Sequence, residues 1–311
     1  MSAAARDEAR PSIELAAELL GPLAERERPI GELTTYRVGG PAALFSEPAT
    51  VADLERLAAV VEATGIPVLV LGKGSNLLVA DAGFAGLCVR LAESFAGIEI
   101  EDDLVRAGGA AAYPVLARRT ATAGLTGLEW AVGIPGSVGG AVRMNAGGHG
   151  AQTSDYLVEC RVVSLRGGYG RTVPASALDL SYRHSSIGPY DVVIEASYRL
   201  ERGDAAWSTA RIGEIVRWRR EHQPGGQNAG SVFTNPADDA AGRLVEAAGL
   251  KGFRIGSAAV SDKHANFIQA DPGGCADDVK RVIDEVRALV AERLGVELRT
   301  ELRLVGFEEE L

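Results

Sequence analysis

Two stretches of this 311-residue chain are built to bring backbone amides close to an anion. Residues 72–77 read Gly-Lys-Gly-Ser-Asn-Leu, and residues 133–150 carry glycine at 133, 136, 139, 140, 147, 148 and 150. Without a Cβ, successive N–H groups in such runs can approach a phosphate closely. Nine of the 38 glycines fall within residues 124–150, so the surplus is local. Tight turns between strands are the competing use of each loop. The first loop opens like a G-x-G-x-x-G fingerprint, but Leu77 stands where the third glycine belongs and a strand pattern, not a helix, follows. A Rossmann dinucleotide domain is therefore disfavoured. A row of charges, Glu297, Arg299, Glu301 and Arg303, alternates with Val296, Leu298, Thr300, Leu302 and Leu304. That spacing puts the charges on one face of a strand, where they could equally meet water or line a site. The four histidines show no paired ligand spacing and Cys88, Cys160 and Cys275 are scattered, so no metal centre is expected.

These residues need a mixed scaffold. Thr50 to Asp53 reads as a helix start, with Val51, Leu54, Leu57, Ala58 and Val61 on one face until Gly65. The aliphatic run 67–71, the glycine loop and residues 86–91 give strand, loop, strand. Asp102-Asp103 centres a hairpin over residues 98–111, and residues 112–123 form a helix stopped by Gly124. Residues 157–165 and 192–200 read as strands, and residues 207–222 and 241–248 as helices. A last long helix presents Val279, Val282, Ile283, Val286, Leu289 and Val290, ends at Gly295 and leads into a strand over 296–307. The start of the chain reads as a polar, alanine-rich leader, and residues 202–206 as a boundary.

Composition narrows the partners. An apolar content of 46% with 24% charged residues is globular, and no apolar run approaches the roughly 20 residues of a membrane-spanning helix. With 32 basic against 42 acidic residues, the net charge of −10 argues against nucleic acid and anionic membranes as partners. Three cysteines without CxxC spacing and no hydrophobic signal region lead us to expect a cytoplasmic protein with reduced thiols.

In order and spacing, the segment Thr34-Thr35-Tyr36-Arg37-Val38-Gly39-Gly40-Pro41, the 72–77 loop and the 133–150 run resemble the flavin-binding half of the UDP-N-acetylenolpyruvoylglucosamine reductase (UDP-N-acetylmuramate dehydrogenase) family. Tyr182-Arg183-His184-Ser185, the stretches 228–236 and 258–268, and Leu298-Arg299-Thr300-Glu301-Leu302 extend the likeness to about residue 307. The chain is similar to the shorter type without a tyrosine-bearing insertion. The resemblance implies an α+β fold: two FAD-binding subdomains of the vanillyl-alcohol-oxidase type over 1–90 and 91–205, a substrate-binding α+β domain over 206–295, and a return strand over 296–307.

It also implies an oxidoreductase in which NADPH reduces non-covalent FAD and the flavin reduces an enolpyruvyl UDP-sugar to UDP-N-acetylmuramate for peptidoglycan. Covalent attachment is not expected, since residues 72–78 contain no histidine or cysteine. Arg183 would bind the substrate carboxylate, Ser231 would supply a proton, and Glu301 would stabilise the same intermediate as an acid. Read without the family, each has an ordinary use: a surface ion pair, a turn hydroxyl and a solvated strand face. Flavin contacts would come from Arg37, Gly72, Lys73, Gly74, Ser75, Asn76, Leu77, Gly133, Ile134, Pro135, Gly136, Gly139, Gly140, Ala141, Met144 and Asn145. Substrate contacts would come from Tyr182, Arg219, Asn235 and His264. Arg219 belongs to the densest positive stretch, Arg217, Arg219, Arg220 and His222, which suits a UDP pyrophosphate or simply a solvated helix face. Thr234 departs from the lysine usual in the family before the asparagine. An oxidase of the same superfamily and a non-catalytic UDP-sugar-binding protein are the rival readings. Oligomeric state is not readable from the chain.

Overall fold

Thr50 opens its helix as the sequence suggests: its hydroxyl accepts the Asp53 N–H while Asp53 accepts the Thr50 N–H, and Gly65 closes the helix in the left-handed region. The computed structural model, which describes residues 3–307, packs this helix, Val51–Thr64, on a four-stranded sheet. The strand order there is Glu25–Pro29, Pro41–Ser46, Phe84–Val89, Val68–Val70, with the first pair antiparallel and the others parallel. The leader is not a tail. Residues Ala3–Leu20 form a helix whose Ala16 and Leu20 are buried against Leu54, Leu57 and Leu87.

The hairpin expected around Asp102-Asp103 pairs Ile98–Glu101 with Leu104–Gly108 and lies at one edge of a five-stranded antiparallel sheet. The other strands are Gly170–Pro174, Leu157–Ser164 and Asp191–Arg199. Alternation along these strands serves two cores. Cys160, Val162, Ala196 and Tyr198 face the helix Tyr113–Thr122, whereas Val163, Leu165, Val192 and Ile194 join the core under the helix Val51–Thr64.

The expected division at residue 206 falls at the start of a helix, Ala205–His222, that packs with the middle of the chain. Its Ile212 and Ile215 enter the same core as Tyr113 and Trp130. The buried Glu129 ties it down, its carboxylate accepting from Ser208 Oγ at 2.5 Å, Thr126 Oγ1 at 2.8 Å and the Gly127 N–H at 2.9 Å. A third core gathers the helices Ala241–Ala247 and Ala276–Leu294 on a small sheet of Arg254–Ile255, Ala258–Val260 and Ile268–Ala270. Val279, Val282, Ile283, Val286 and Val290 supply it as the periodicity predicts, with Leu289 half-buried beside them. Tyr36, Val38 and Leu78 from the N-terminal part share this core.

The single strand expected over 296–307 is two short pieces. Thr300 bridges Phe233, and Arg303–Val305 pairs in parallel with Leu77–Val79. Between them the Glu301 and Leu302 N–H groups both turn to the Val232 carbonyl, at 2.8 and 3.3 Å, which interrupts the ladder. Leu298 and Leu302 are buried, so the apolar face is as expected up to that point.

Just past Leu77–Val79, Asp81 reaches the third core: its carboxylate oxygens accept the Ala276 and Asp277 N–H groups, each at 3.0 Å, at the start of the long helix. The helix's own N-cap, Cys275, offers no capping side chain. Asp81→Ala is expected to lower the unfolding free energy by about 1–2 kcal/mol. Urea unfolding followed by circular dichroism measures this, and an unchanged midpoint contradicts the cap.

Candidate active site

The 72–77 loop leaves the strand Val68–Val70 and packs so closely on Ser137 and Leu33 that its two glycines have no room for a side chain. A Cβ on Gly72 would lie 2.6 Å from Ser137 Oγ, and one on Gly74, where φ is +63°, would lie 2.6 Å from the Leu33 carbonyl oxygen. Ser137 in turn caps Val138–Arg143, accepting the Gly140 N–H at 3.2 Å. Between the two loops runs a cleft of two adjoining cavities, about 610 and 280 Å³, which share Gly72, Lys73, Ser137, Gly140 and Arg143.

Arg183, Ser231 and Glu301 all line the larger cavity. Arg183 Nε donates to Glu301 Oε1 at 2.8 Å and Nη2 donates to the Gly147 carbonyl at 3.0 Å, with the Tyr182 ring 4.9 Å from the guanidinium carbon. The turn bearing Arg183 is held from beneath. Asn145 Nδ2 donates to the Ser181 carbonyl at 2.9 Å, Arg143 Nη1 donates to the carbonyls of Ile187 and Gly188, and Ser185 Oγ donates to the Arg143 carbonyl at 2.7 Å. Ser231 follows Gly230, whose φ is +77°, and precedes Val232, the residue that holds the Glu301 backbone. Asn76 of the glycine loop grips the other side, its Nδ2 donating to the Glu301 carbonyl at 3.2 Å.

The larger cavity is cationic. Lys73, Arg143, Arg183, Arg219 and Arg303 line it, and among the described residues Glu301 is the one carboxylate that does. Burial raises the Glu301 pKa above the ordinary value, opposed by the charge and hydrogen bond of Arg183. The guanidinium of Arg143, desolvated and beside Arg303, is brought down to about 10 and stays charged at neutral pH.

A family model for the C-terminal domain of UDP-N-acetylenolpyruvoylglucosamine reductase matches residues 222–305, and one for an FAD-binding domain matches residues 42–172. The reductase of Rubrobacter xylanophilus is 43% identical over 289 residues, 92% of this chain and 97% of that protein. The reductase of Acidiphilium cryptum is 43% identical over 279 residues, 89% of this chain and 90% of that protein. The crystal structure of the Thermus caldophilus enzyme superposes with a TM-score of 0.80 at 34% identity, covering 91% of this chain and 98% of that one. The chain belongs to the UDP-N-acetylenolpyruvoylglucosamine reductase family.

Most of the residues that the family motifs single out line one of the two cavities. Gly72, Lys73, Gly74, Ser75, Asn76, Leu77, Gly133, Ile134, Pro135, Gly136, Gly140, Ala141, Met144 and Arg219 line the larger cavity, and Gly139 the smaller. Five lie elsewhere. Arg37 is exposed at a turn, its N–H accepted by the Thr34 hydroxyl at 3.2 Å. Asn145 is fully buried and uses its amide on the backbone, so it positions the Arg183 turn and does not reach the cleft. Tyr182 lies under Arg183 with its ring 54% exposed, outside the cavity wall. Asn235 is exposed and accepts the Ala241 N–H at 3.0 Å, capping a helix. His264 packs its ring on Phe267 at 4.7 Å, and it is Phe267 that reaches the cavity. Thr234, where the family's lysine is missing, turns its hydroxyl to the Arg299 carbonyl at 3.2 Å. Arg143, Arg303, His149, Trp218, Gln223 and Asn228 line the cavity without having been singled out. Arg303 shares the charged face of Glu301 in the alternation, which was the available signal for it.

Because folding raises the Glu301 pKa, its contribution to stability is full below the ordinary carboxylate pKa and is lost as pH rises through the folded value. Glu301→Gln should therefore gain stability relative to the parent protein as pH rises from about 4 towards neutrality. Unfolding free energies measured across that range check this; a difference that is flat or falls with pH contradicts the dominance of burial.

Proposed function

We propose that this chain catalyses the NADPH-dependent, FAD-mediated reduction of UDP-N-acetylglucosamine enolpyruvate to UDP-N-acetylmuramate in peptidoglycan precursor synthesis. The observation that carries this reading is the meeting of Arg183, Ser231 and Glu301, from three distant parts of the chain, in one cavity that both glycine loops also line. We read the region before the third core as the two-part FAD-binding arrangement of the vanillyl-alcohol-oxidase type, with residues 1–90 and 91–205 as its halves.

The cleft fits the cofactor in shape and chemistry. It joins two cavities, Gly72 and Gly74 beside it have no space for a Cβ, and Lys73 and Arg143 border both cavities, where a diphosphate would need cations. FAD, held non-covalently, would supply the hydride relay from NADPH to the vinyl carbon. Everything else falls to the protein.

Hydride addition at the carbon beta to a carboxylate builds negative charge on the alpha carbon and the carboxylate. The planar fork of Arg183 is oriented by Glu301 and Gly147, and we assign it the substrate carboxylate. Once that carboxylate shares the guanidinium, Glu301 loses part of what keeps it ionised while its burial persists. It then takes a proton from solvent and faces the developing charge as a hydrogen-bond donor, keeping that proton while Ser231 supplies the one that forms the C–H bond. Ser231 makes no side-chain hydrogen bond to another described residue, so its hydroxyl is available to give a proton to the alpha carbon; solvent restores it. The cations of the cavity lower the cost of the transient alkoxide.

Ser231→Ala should leave reduction of the bound flavin by NADPH within about twofold of normal and slow its reoxidation by the enolpyruvyl substrate by about 10²–10⁴-fold. Anaerobic stopped-flow absorbance separates the two half-reactions. An unchanged second half-reaction removes Ser231 from the role of proton donor.

A further inference from the structure

At the end of the helix Ala205–His222 the chain leaves a large aromatic surface uncovered. Trp218 is 44% exposed, yet it lines the larger cavity. Two imidazoles fix its position and leave much of the ring exposed. His222, one turn on, stacks on it at 4.7 Å with planes 14° apart, and His222 Nδ1 donates to the Trp218 carbonyl at 2.8 Å. His149, from the loop after Gly147–Gly148, meets Trp218 edge to face at 5.2 Å and 84°. The His149 backbone is itself in the left-handed region at φ +54°.

The aromatic group stands beside a cation. A Cβ on Gly133 would lie 3.3 Å from Arg219 Nη1 and 3.5 Å from His149 Nε2, so guanidinium and imidazole converge over that glycine. Arg219 is oriented by Gln223, whose Oε1 accepts from Arg219 Nε at 2.8 Å. Burial first, and then the charges of Arg219 and Arg211, hold the His149 pKa below its ordinary value, which favours an uncharged ring against the tryptophan. A flat apolar surface next to a half-buried guanidinium is complementary to a planar base joined to a diphosphate.

We propose that Trp218, braced by His222 and His149, is the stacking surface for the base of a nucleoside diphosphate whose phosphates meet Arg219. With FAD assigned to the glycine loops, two ligands of the proposed reaction have that chemistry, the UDP-sugar and the nicotinamide dinucleotide, and the inference rests on that reading.

The test uses the flavin-loaded protein and two probes, UDP and NADP⁺, with affinities measured by calorimetry for the parent, Trp218→Leu and Trp218→Phe. The surface position of Trp218 makes both variants compatible with folding, and flavin absorbance and circular dichroism verify it. Loss of an aromatic stack should weaken the ligand that uses it by about tenfold or more in Trp218→Leu, and by much less in Trp218→Phe, which keeps a ring. Weakening confined to UDP assigns the surface to uracil; weakening confined to NADP⁺ assigns it to a base of the dinucleotide. If the parent binds UDP and neither affinity changes more than about twofold in Trp218→Leu, the stacking surface is refuted while the proposed function stands. If the parent binds neither probe, the functional reading falls and the inference with it.

Discussion

The site depends on one short stretch of backbone changing partners. Thr300 pairs with Phe233 beside the serine loop, Glu301 and Leu302 both turn to Val232, and Arg303 donates to the Asn76 carbonyl before the strand continues along Leu77–Val79. Glu301 lies at the changeover. Its distance from Ser231 on one side and from the glycine loop on the other is therefore set by main-chain hydrogen bonds, not by side-chain preference. Arg183 then has a fixed carboxylate to bind, and the Asp81 contacts to the long helix keep the two regions in the register that this strand requires.

Charge is distributed in the opposite sense to its sum. A chain of net −10 places five cationic side chains around its larger cavity and one carboxylate among them. The acidic exterior opposes polyanions at long range, while the low-dielectric cleft concentrates positive potential where a diphosphate and a carboxylate would sit. Within it, burial raises the Glu301 pKa and the charge and hydrogen bond of Arg183 oppose that rise.

Sequence signals read well where local chemistry decides. The capped helix Val51–Thr64, the hairpin at Asp102-Asp103 and the apolar face of the last helix follow from spacing alone. The likeness to known motifs brought Arg183, Ser231 and Glu301 together, something no periodicity indicates across 118 residues of separation. What escaped has a common cause: a motif marks a loop without showing which of its side chains build the loop itself. Asn145 and Asn235 satisfy backbone groups, and His264 packs behind Phe267. Trp218 and His149 stand on separate elements and become neighbours only through the docking of the helix Ala205–His222, which the buried Glu129 secures. The alanine-rich start, read as a polar leader, is a helix whose Ala16 and Leu20 pack into the N-terminal core.

The most direct test of the whole account is the visible spectrum of the purified, flavin-loaded protein under anaerobic conditions. NADPH should bleach the flavin band, and UDP-N-acetylglucosamine enolpyruvate should restore it in a single turnover with formation of UDP-N-acetylmuramate. A flavin that stays bleached until oxygen is admitted, indifferent to the enolpyruvyl substrate, would contradict the account and point to an oxidase built on the same scaffold.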